Sequence, residues 1–396
     1  MPDTAKPNLL LIMTDQQRFD ALGIAGDWVD TPHLDRLAAE GVHFRSCVTT
    51  SPVCVPARAS LLTGRYCHNH GIWDNPDGFP APNAPTWIQA IRNAGYETAL
   101  IGKTHWHPHQ GDIRDNEHLL NHWGYDIVHE TVGPRATCRV RCEMTEQWEA
   151  KGLWEAHQED YRQRFDHKPW VVRPSALPLE DYYDTWVGQR CVSYLRDAPA
   201  DQPWFCHVSF GGPHEPWDTP EPWASRYKPE AMPPARDYPA SVTDDRPHGR
   251  LDDVPPVSRP EGLTDEDIAA MRADYAGNVA LIDDQVGQML DTLEARGDLD
   301  RTAIVFTSDH GELNGDAGMI YKNYFLDGAV RVPLIVRTPA TATGPAAGQA
   351  NDSPVEWIDV GPTLVDLAGG TIQHRQFGQS LAPTLQDPTA RHRDDA

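Results

Sequence analysis

Apolar runs that end abruptly in polar residues constrain this chain more than any other feature. The stretch "NLLLIMTD" (8–15) is almost wholly apolar until Thr14 and Asp15, the pattern of a strand buried on both faces of a parallel sheet. "TPHLDRLAAEGVHF" (31–44) follows with a proline near its start, helical apolar spacing and Gly41 as a stop. "TWIQAIRNAGYETALIGKTHW" (86–106) repeats the plan: helix, Gly95 stop, then the short strand "TALIG". A helix is expected over 181–198, and "PWFCHVSFGGPH" (203–214) reads as a strand entering a polar turn. From Thr264 to Gly297, Met271, Tyr275, Val279, Ile282, Val286, Met289 and Leu293 recur at spacings of three and four, one stripe of a long helix. "TAIVFTSDHG" (302–311) and "RVPLIVRTP" (331–339) read as further strands, and "WIDVGPTLVDLAGG" (357–370) as a closing helix. This alternation predicts an α/β fold, a doubly wound, mixed but mostly parallel sheet flanked by helices.

Two stretches break the rhythm. Residues 106–175 are rich in His, Trp, Arg and Pro, and residues 213–262 in Pro and Asp. Both are too long for simple connectors and are expected to form lids or substrate-facing insertions. In open α/β sheets, ligands gather beyond the carboxyl ends of the strands. The polar residues at those ends are Asp15 and Gln16, Lys103 and His105, His214, Asp309 and His310.

A formal net charge of −24 disfavours nucleic acid or an anionic membrane as partner. It does not disfavour a small anion held by locally converging cations. Seven cysteines without framework spacing suit a reducing compartment. The start of the chain reads as a strand and not as a signal peptide, and no window approaches the length needed to span a bilayer. A cytoplasmic location is the expectation.

One cysteine stands apart. In "SPVCVPARASLLTGRY" (51–66), Cys54 is followed by Pro56 and Arg58. This C-x-P-x-R element resembles the signature at which the type I sulfatases, a branch of the alkaline-phosphatase-like superfamily, carry a cysteine oxidised to formylglycine. The resemblance does not rest on that element alone. "PNLLLIMTDQQRFD", "TPHLDRLAAEGVHF", "CVPARASLLTGR", "GYETALIGKTHW", "GGPHEPW", "FTSDHGE" and "RVPLIV" fit the family in order and cover nearly the whole chain. It implies a single sulfatase catalytic domain over 1–396 carrying the two insertions. Family members usually continue past an element like "FGQSL" (377–381) into a small antiparallel subdomain, which is expected to be either absent or truncated in this sequence.

The resemblance also implies a chemistry. A hydrated formylglycine at position 54 has two hydroxyls on one carbon: one attacks sulfur, and the other loses its proton as the carbon collapses to an aldehyde and expels sulfate. The other six cysteines are expected to be structural. Asp15, Gln16, Asp309 and His310 match the family's metal ligands, although most sulfatases resemble Asp-Asp and Asp-Asn at these pairs. Calcium is expected on family grounds, with manganese open because His310 adds a nitrogen. Arg58 would stabilise the alkoxide. Lys103 and His105 match residues that bind sulfate oxygens and deprotonate the hemiacetal, while His214 and Lys322 match those beside the leaving-group oxygen. Asn75 stands where a relative has a substrate-contacting amide. Trp106, His107, His109, Trp170 and Trp217 are candidates for stacking on a sugar or aryl ring, with local packing as the alternative. Arg135, Arg139 and Arg141 are expected to pair with carboxylates more than to steer a substrate.

The substrate expected is a small-molecule or saccharide sulfate ester, and a formylglycine-generating enzyme is the expected maturation partner, with homo-oligomerisation open. The Asp-Gln and Asp-His pairs, with Asn75, also look like the phosphonate monoester hydrolases, which use the same formylglycine; Lys103 and His105 favour the sulfatase reading. A third reading, an inactive relative that binds sulfated ligands, has little support because every expected position is filled.

Overall fold

Strand β1 (Asn8–Asp15) is buried along its whole length and divides its side chains between two cores. Leu10 and Ile12 enter one, while Leu9, Leu11 and Met13 enter the other, as the period-two alternation of a strand requires. Each such side chain contributes about 1.5–3 kcal/mol by leaving water. A continuous apolar run is therefore what the centre of a two-faced sheet needs.

The computed structural model describes residues 6–167, 170–238 and 260–396. Residues 168–169 of the first expected insertion and 239–259 of the second lie outside the described residues. Among the described residues, eight strands form the main sheet: β1, β2 (Val42–Phe44), β3 (Glu97–Lys103), β4 (Ile127–Thr131), β5 (Trp204–Pro213), β6 (Thr302–Ser308), β7 (Leu334–Arg337) and β8 (Gln349–Asn351). Their order is β4-β3-β5-β1-β6-β7-β2-β8. Pairings run parallel except where β7 meets β6 and β2. The mixed, mostly parallel sheet matches the sequence expectation.

The principal helices are α1 (Pro32–Glu40), α2 (Cys54–Thr63), α3 (Trp87–Asn93), α4 (Glu117–Trp123), α5 (Glu143–Ala150), α6 (Trp154–His167), α7 (Tyr183–Asp197), α8 (Asp265–Arg296) and α9 (Val360–Leu367). Leu34 of α1, Val187 and Leu195 of α7, and Ile282, Val286 and Met289 of α8 pack on the Leu10 face. Leu61 of α2, Trp87 of α3 and Leu364 of α9 pack on the Leu9 face. Helix α8 begins and ends where its sequence signals lie. The Thr264 side chain accepts from the Asp267 N–H at 3.1 Å, and Gly297 stops the helix at a φ of 72°.

Three short pieces add detail to the sequence expectation. The helix of segment 31–44 stops at Gly41 as expected, and Val42–Phe44 beyond it joins the sheet, which the sequence reading does not anticipate. Strand β7 runs antiparallel to β6. Residues 127–131, inside the stretch read as an insertion, form edge strand β4, whose first three residues are only partly buried. Half-exposed edge strands lack the long apolar run that reveals a central one.

Strands β3, β5, β1 and β6 are adjacent and mutually parallel. Their carboxyl ends therefore lie side by side and deliver Lys103, Pro213, Asp15 and Ser308 to one edge. No described helix is long and apolar enough to cross a membrane.

Candidate active site

Cys54 is the first residue of α2, which docks on the sheet with its amino end at the carboxyl edge of the strands. The sequence reading did not anticipate this helix, since proline at its third position and a nearly uniform apolar character hide the periodicity. All ten of its residues are buried. The helix amino end presents positive potential to whatever group residue 54 carries.

The Cys54 Sγ lies 3.2 Å from Nε2 of His310. Burial alone would push this thiol up, but Lys322, Lys103 and His310, with a hydrogen bond from His105, hold it well below the ordinary range of cysteine. Burial pushes the thiol of Cys47, seven residues earlier, well up. The two differ in their neighbours and not in their depth.

Four buried residues converge here. Asp15, Cys54, Asp309 and His310 each offer one donor atom, all within 4.8 Å of one another. Asp15 Oδ1 is buried with no hydrogen-bond partner. His310 directs Nδ1 at the Gly311 carbonyl oxygen, 3.0 Å away, which places a proton there and turns Nε2 toward the cluster. An orphaned carboxylate oxygen beside a second carboxylate and an oriented imidazole is the donor set of a divalent cation site. Gln16, expected with them, has a φ of 70° and sends its backbone N–H to Asp309 Oδ1 at 3.0 Å. Its Oε1 accepts from Lys322 Nζ and its Nε2 donates to Glu215 Oε2 at 2.8 Å. To offer its carbonyl oxygen to a cation, Gln16 would have to share it with Lys322.

Arg58 sits one turn along α2, buried at 1% exposure. Its Nε donates to Asp309 at 2.7 Å, Nη2 to Asp15 at 3.1 Å, and Nη1 to the Lys103 carbonyl at 2.8 Å and Ser209 Oγ at 3.1 Å. It therefore ties α2 to β1, β3, β5 and the turn after β6. Lys103 forms a buried ion pair with the same Asp15 oxygen, Oδ2, that Arg58 holds. Burial opposes ionisation of Asp15, yet Lys103 above all, helped by His214 and Arg58, holds its carboxyl below the usual carboxylate range. Gly102, just before Lys103, has a φ of 101°, and a Cβ there would lie 1.9 Å from the Ser209 carbonyl oxygen, so only glycine fits.

A cavity of about 380 Å³ opens from this cluster, a volume suited to a small molecule. Lys103, His105, His214, Lys322 and Asn75 all line it. Burial lowers the affinity of the His105 imidazole for a proton. His214 Nδ1 lies 2.6 Å from the Glu215 carbonyl oxygen and 3.4 Å from Glu215 Oε2, leaving Nε2 for another partner. Asn75 Oδ1 accepts from the Val55 N–H at 2.9 Å and so holds the first turn of α2. His105, Tyr321 and Asn323 join Gln16 in the left-handed region, with φ of 59°, 71° and 86°, strain that clusters at functional sites.

The tryptophans proposed as stacking platforms do not serve as such. Trp106, Trp170 and Trp217 are 1%, 8% and 2% exposed. Trp106 donates from Nε1 to the Arg58 carbonyl at 2.9 Å, and Trp217 stacks on Tyr321. His107 is buried against Glu130 at 2.7 Å, while His109 reaches the cavity. Sequence reasoning overlooked two buried acids, Glu215 and Glu312, that both receive the Gln16 amide. Each lies within two residues of an expected site residue, and that adjacency was the available signal. Burial and the nearby Glu215 push Glu312 up to about 7.

Comparisons with known proteins agree with this geometry. The family model described as Sulfatase matches residues 7–370. The arylsulfatase of Clostridium perfringens is 31% identical over 98% of this chain and 80% of its own length. The choline-sulfatase of Rhizobium meliloti is 29% identical over 96% of this chain and 72% of its own. The crystal structure of the phosphonate monoester hydrolase of Agrobacterium radiobacter superposes with a TM-score of 0.78 at 30% identity, covering 96% of this chain and 77% of that one. With the fold, the strand-end cluster and these relatives in agreement, the chain belongs to the sulfatase family and is a sulfuric ester hydrolase.

Proposed function

We propose that the chain hydrolyses a sulfate monoester to alcohol and sulfate through a formylglycine made from Cys54. The observation that carries the reading is the setting of Cys54: first residue of α2, 3.2 Å from His310 and among Lys103, Lys322 and His105. A maturation enzyme with an external oxidant would convert the CH2–SH to an aldehyde, the oxidant taking two electrons and the C–S bond breaking to release the sulfur as sulfide; water then hydrates the aldehyde. One hydroxyl of residue 54 loses its proton to solvent, and the resulting alkoxide oxygen forms a bond to sulfur as the ester S–O bond breaks. His214 or Lys322 delivers a proton to the departing alcohol oxygen. His105 takes the proton of the second hydroxyl, the carbon returns to an aldehyde, and the C–O bond to sulfate breaks with its electron pair on sulfate.

Asp15, Asp309 and His310, with Gln16, would hold a divalent cation. The orphaned Asp15 Oδ1 and the oriented His310 Nε2 fit that role. When bound, the cation supplies Lewis-acid withdrawal of charge from the oxygens of residue 54 and of the sulfate. The two carboxylates suit calcium, and the imidazole nitrogen keeps manganese as the alternative. Arg58 holds both carboxylates and stabilises an alkoxide at residue 54. Lys103 binds a sulfate oxygen, and Asn75 keeps the first turn of α2 in place.

Mass spectrometry of the tryptic peptide Ser46–Arg58, from protein made beside a formylglycine-generating enzyme, tests the nucleophile. An aldehyde mass at Cys54 with Cys47 still a thiol is expected; a wholly unmodified Cys54 would overturn the mechanism. The likeness to the phosphonate monoester hydrolase supports a second reading, cleavage of phosphonate monoesters by the same residues. Lys103 and His105 at the cavity suit the three free oxygens of a sulfate monoester better than the two of a phosphonate monoester, hence sulfate first. Turnover of an aryl sulfate and an aryl phosphonate on one preparation decides between them.

A further inference from the structure

The cations lining the cavity fall into two groups. Lys103 and Lys322 are tied to Asp15 and Gln16 beside Cys54. Arg135 and Arg139 belong to a separate wall, residues 133–139, between β4 and α5.

The three arginines of that region do not behave alike. Arg141 meets the carboxylate expectation, with contacts to Glu149 at 2.7 and 2.8 Å, and does not line the cavity. Arg135 lines it. Glu215 pairs with one side of its guanidinium, the rings of Phe165 and Tyr321 lie 5.1 and 4.8 Å away, and its Nε is buried without a hydrogen-bond partner. Arg139 also lines the cavity and has no carboxylate partner among the described residues; its hydrogen bond is to the Arg135 carbonyl at 3.0 Å. The chain has 58 acidic residues against 34 basic, so an arginine without a carboxylate here does not reflect any shortage of them.

His109 adds a donor to the same wall. Its Nδ1 accepts from the Gly133 N–H at 3.2 Å, which puts the ring proton on Nε2. That Nε2 is buried and has no partner. Burial, with His105 and His107 close by, keeps the ring neutral. A neutral imidazole N–H and two guanidinium groups, on residues that line one wall of the cavity, stand apart from the cations beside Cys54.

We propose that Arg135, Arg139 and the Nε2–H of His109 bind a second anionic group, a carboxylate or a further sulfate, carried on the alcohol portion of the substrate. The proposal rests on the reading of this cavity as the ester-cleaving site. Guanidinium forks match the paired oxygens of either group, and charge-assisted hydrogen bonds are the stronger kind. Arg135 is held by Glu215 and two rings before any ligand arrives, so little side-chain freedom remains to be lost. A substrate bearing a cation on its alcohol would meet like charge at the same wall.

Titration calorimetry on Cys54→Ser protein in calcium buffer separates binding from turnover. The probes are phenyl sulfate, 3-carboxyphenyl sulfate and benzene-1,3-diyl bis(sulfate). At least one doubly anionic probe is expected to bind about ten-fold or more tighter than phenyl sulfate, the size of one charge-assisted hydrogen bond. Whichever probe gains identifies the group. Adding Arg139→Ala is expected to remove most of that preference, while Arg141→Ala, outside the cavity, preserves it. Because the preference is a ratio on one preparation, the folded fraction cancels. Equal binding of the three probes, no binding of any, or a preference untouched by Arg139→Ala would overturn the proposal. Turnover of phenyl sulfate by the wild type is read separately: its failure beside an intact binding preference sinks the sulfatase mechanism and leaves the anion site standing.

Discussion

The Nε of Arg58 donates to Oδ2 of Asp309 at 2.7 Å, and both side chains are buried. The arginine of the C-x-P-x-R element thus holds the expected metal ligands as well as its own helix. Removing one partner of a buried ion pair strands the other charge and costs about 3–5 kcal/mol. Arg58→Ala is therefore expected to lower unfolding stability by about that amount, read by urea denaturation with chelator present. Arg58→Lys, which keeps the charge but not the fork to Asp15, Asp309 and Ser209, should fall between. A wild-type midpoint for the alanine variant would show that the two aspartates need no counter-charge from α2.

Binding of a divalent cation is expected to stabilise the fold, because Asp15 Oδ1 is buried without a partner. A ligand at one hundred times its dissociation constant adds about 2.7 kcal/mol. Calcium or manganese added to chelated protein should raise the melting temperature, the larger shift naming the preferred ion. Asp15→Asn should abolish the shift for both. A shift that survives in Asp15→Asn places the ion elsewhere.

Much of this site was legible in the sequence because parallel topology forces it. Once β1, β3, β5 and β6 are strands, their carboxyl ends carry Asp15, Lys103, His214 and Asp309 to one edge. What could not be read is side-chain direction. Trp106 and Trp217 sit in sequence stretches rich in polar residues yet point into packed interiors. The divergence of Arg135, Arg139 and Arg141 depends on where Glu215 and Glu149 fall in space. Helix α2 lacks a polar face and so carries no amphipathic period to detect.

A buried acidic pair gives the fold a pH dependence of its own. Burial raises Asp274 to about 8, with the nearby Asp218 adding to it. A carboxyl raised in the folded state binds more protons there than in the unfolded chain, so stability falls as pH rises. Its contribution is complete below about pH 4 and is lost by about pH 8. Asp274 accepts from the Thr219 N–H through Oδ1 at 3.1 Å, a bond that asparagine retains. Asp274→Asn should match the wild type in melting temperature near pH 4 and exceed it increasingly up to pH 8, with no further divergence above. Parallel curves across that window would mean that Asp274 does not carry the effect.

The proposed acid can be identified by the alcohol it protonates. His214 Nδ1 is 2.6 Å from the Glu215 carbonyl oxygen and 3.4 Å from its carboxylate, so Nδ1 is engaged locally and Nε2 is left for a partner at the cavity His214 lines. General acid catalysis contributes about 10²–10⁴-fold and matters most when the leaving oxygen is basic. For His214→Gln, kcat/KM on phenyl sulfate is expected to fall within that range, and on 4-nitrophenyl sulfate much less. A plot of log kcat/KM against leaving-group acidity should therefore steepen. Lys322→Ala, measured on the same series, is the comparison, since Lys322 lines the same cavity and its ammonium is engaged with Gln16 Oε1. If only the lysine variant steepens the plot, Lys322 is the donor and His214 merely binds substrate. If neither does, the alcohol departs unprotonated and the cavity acts through its charges alone.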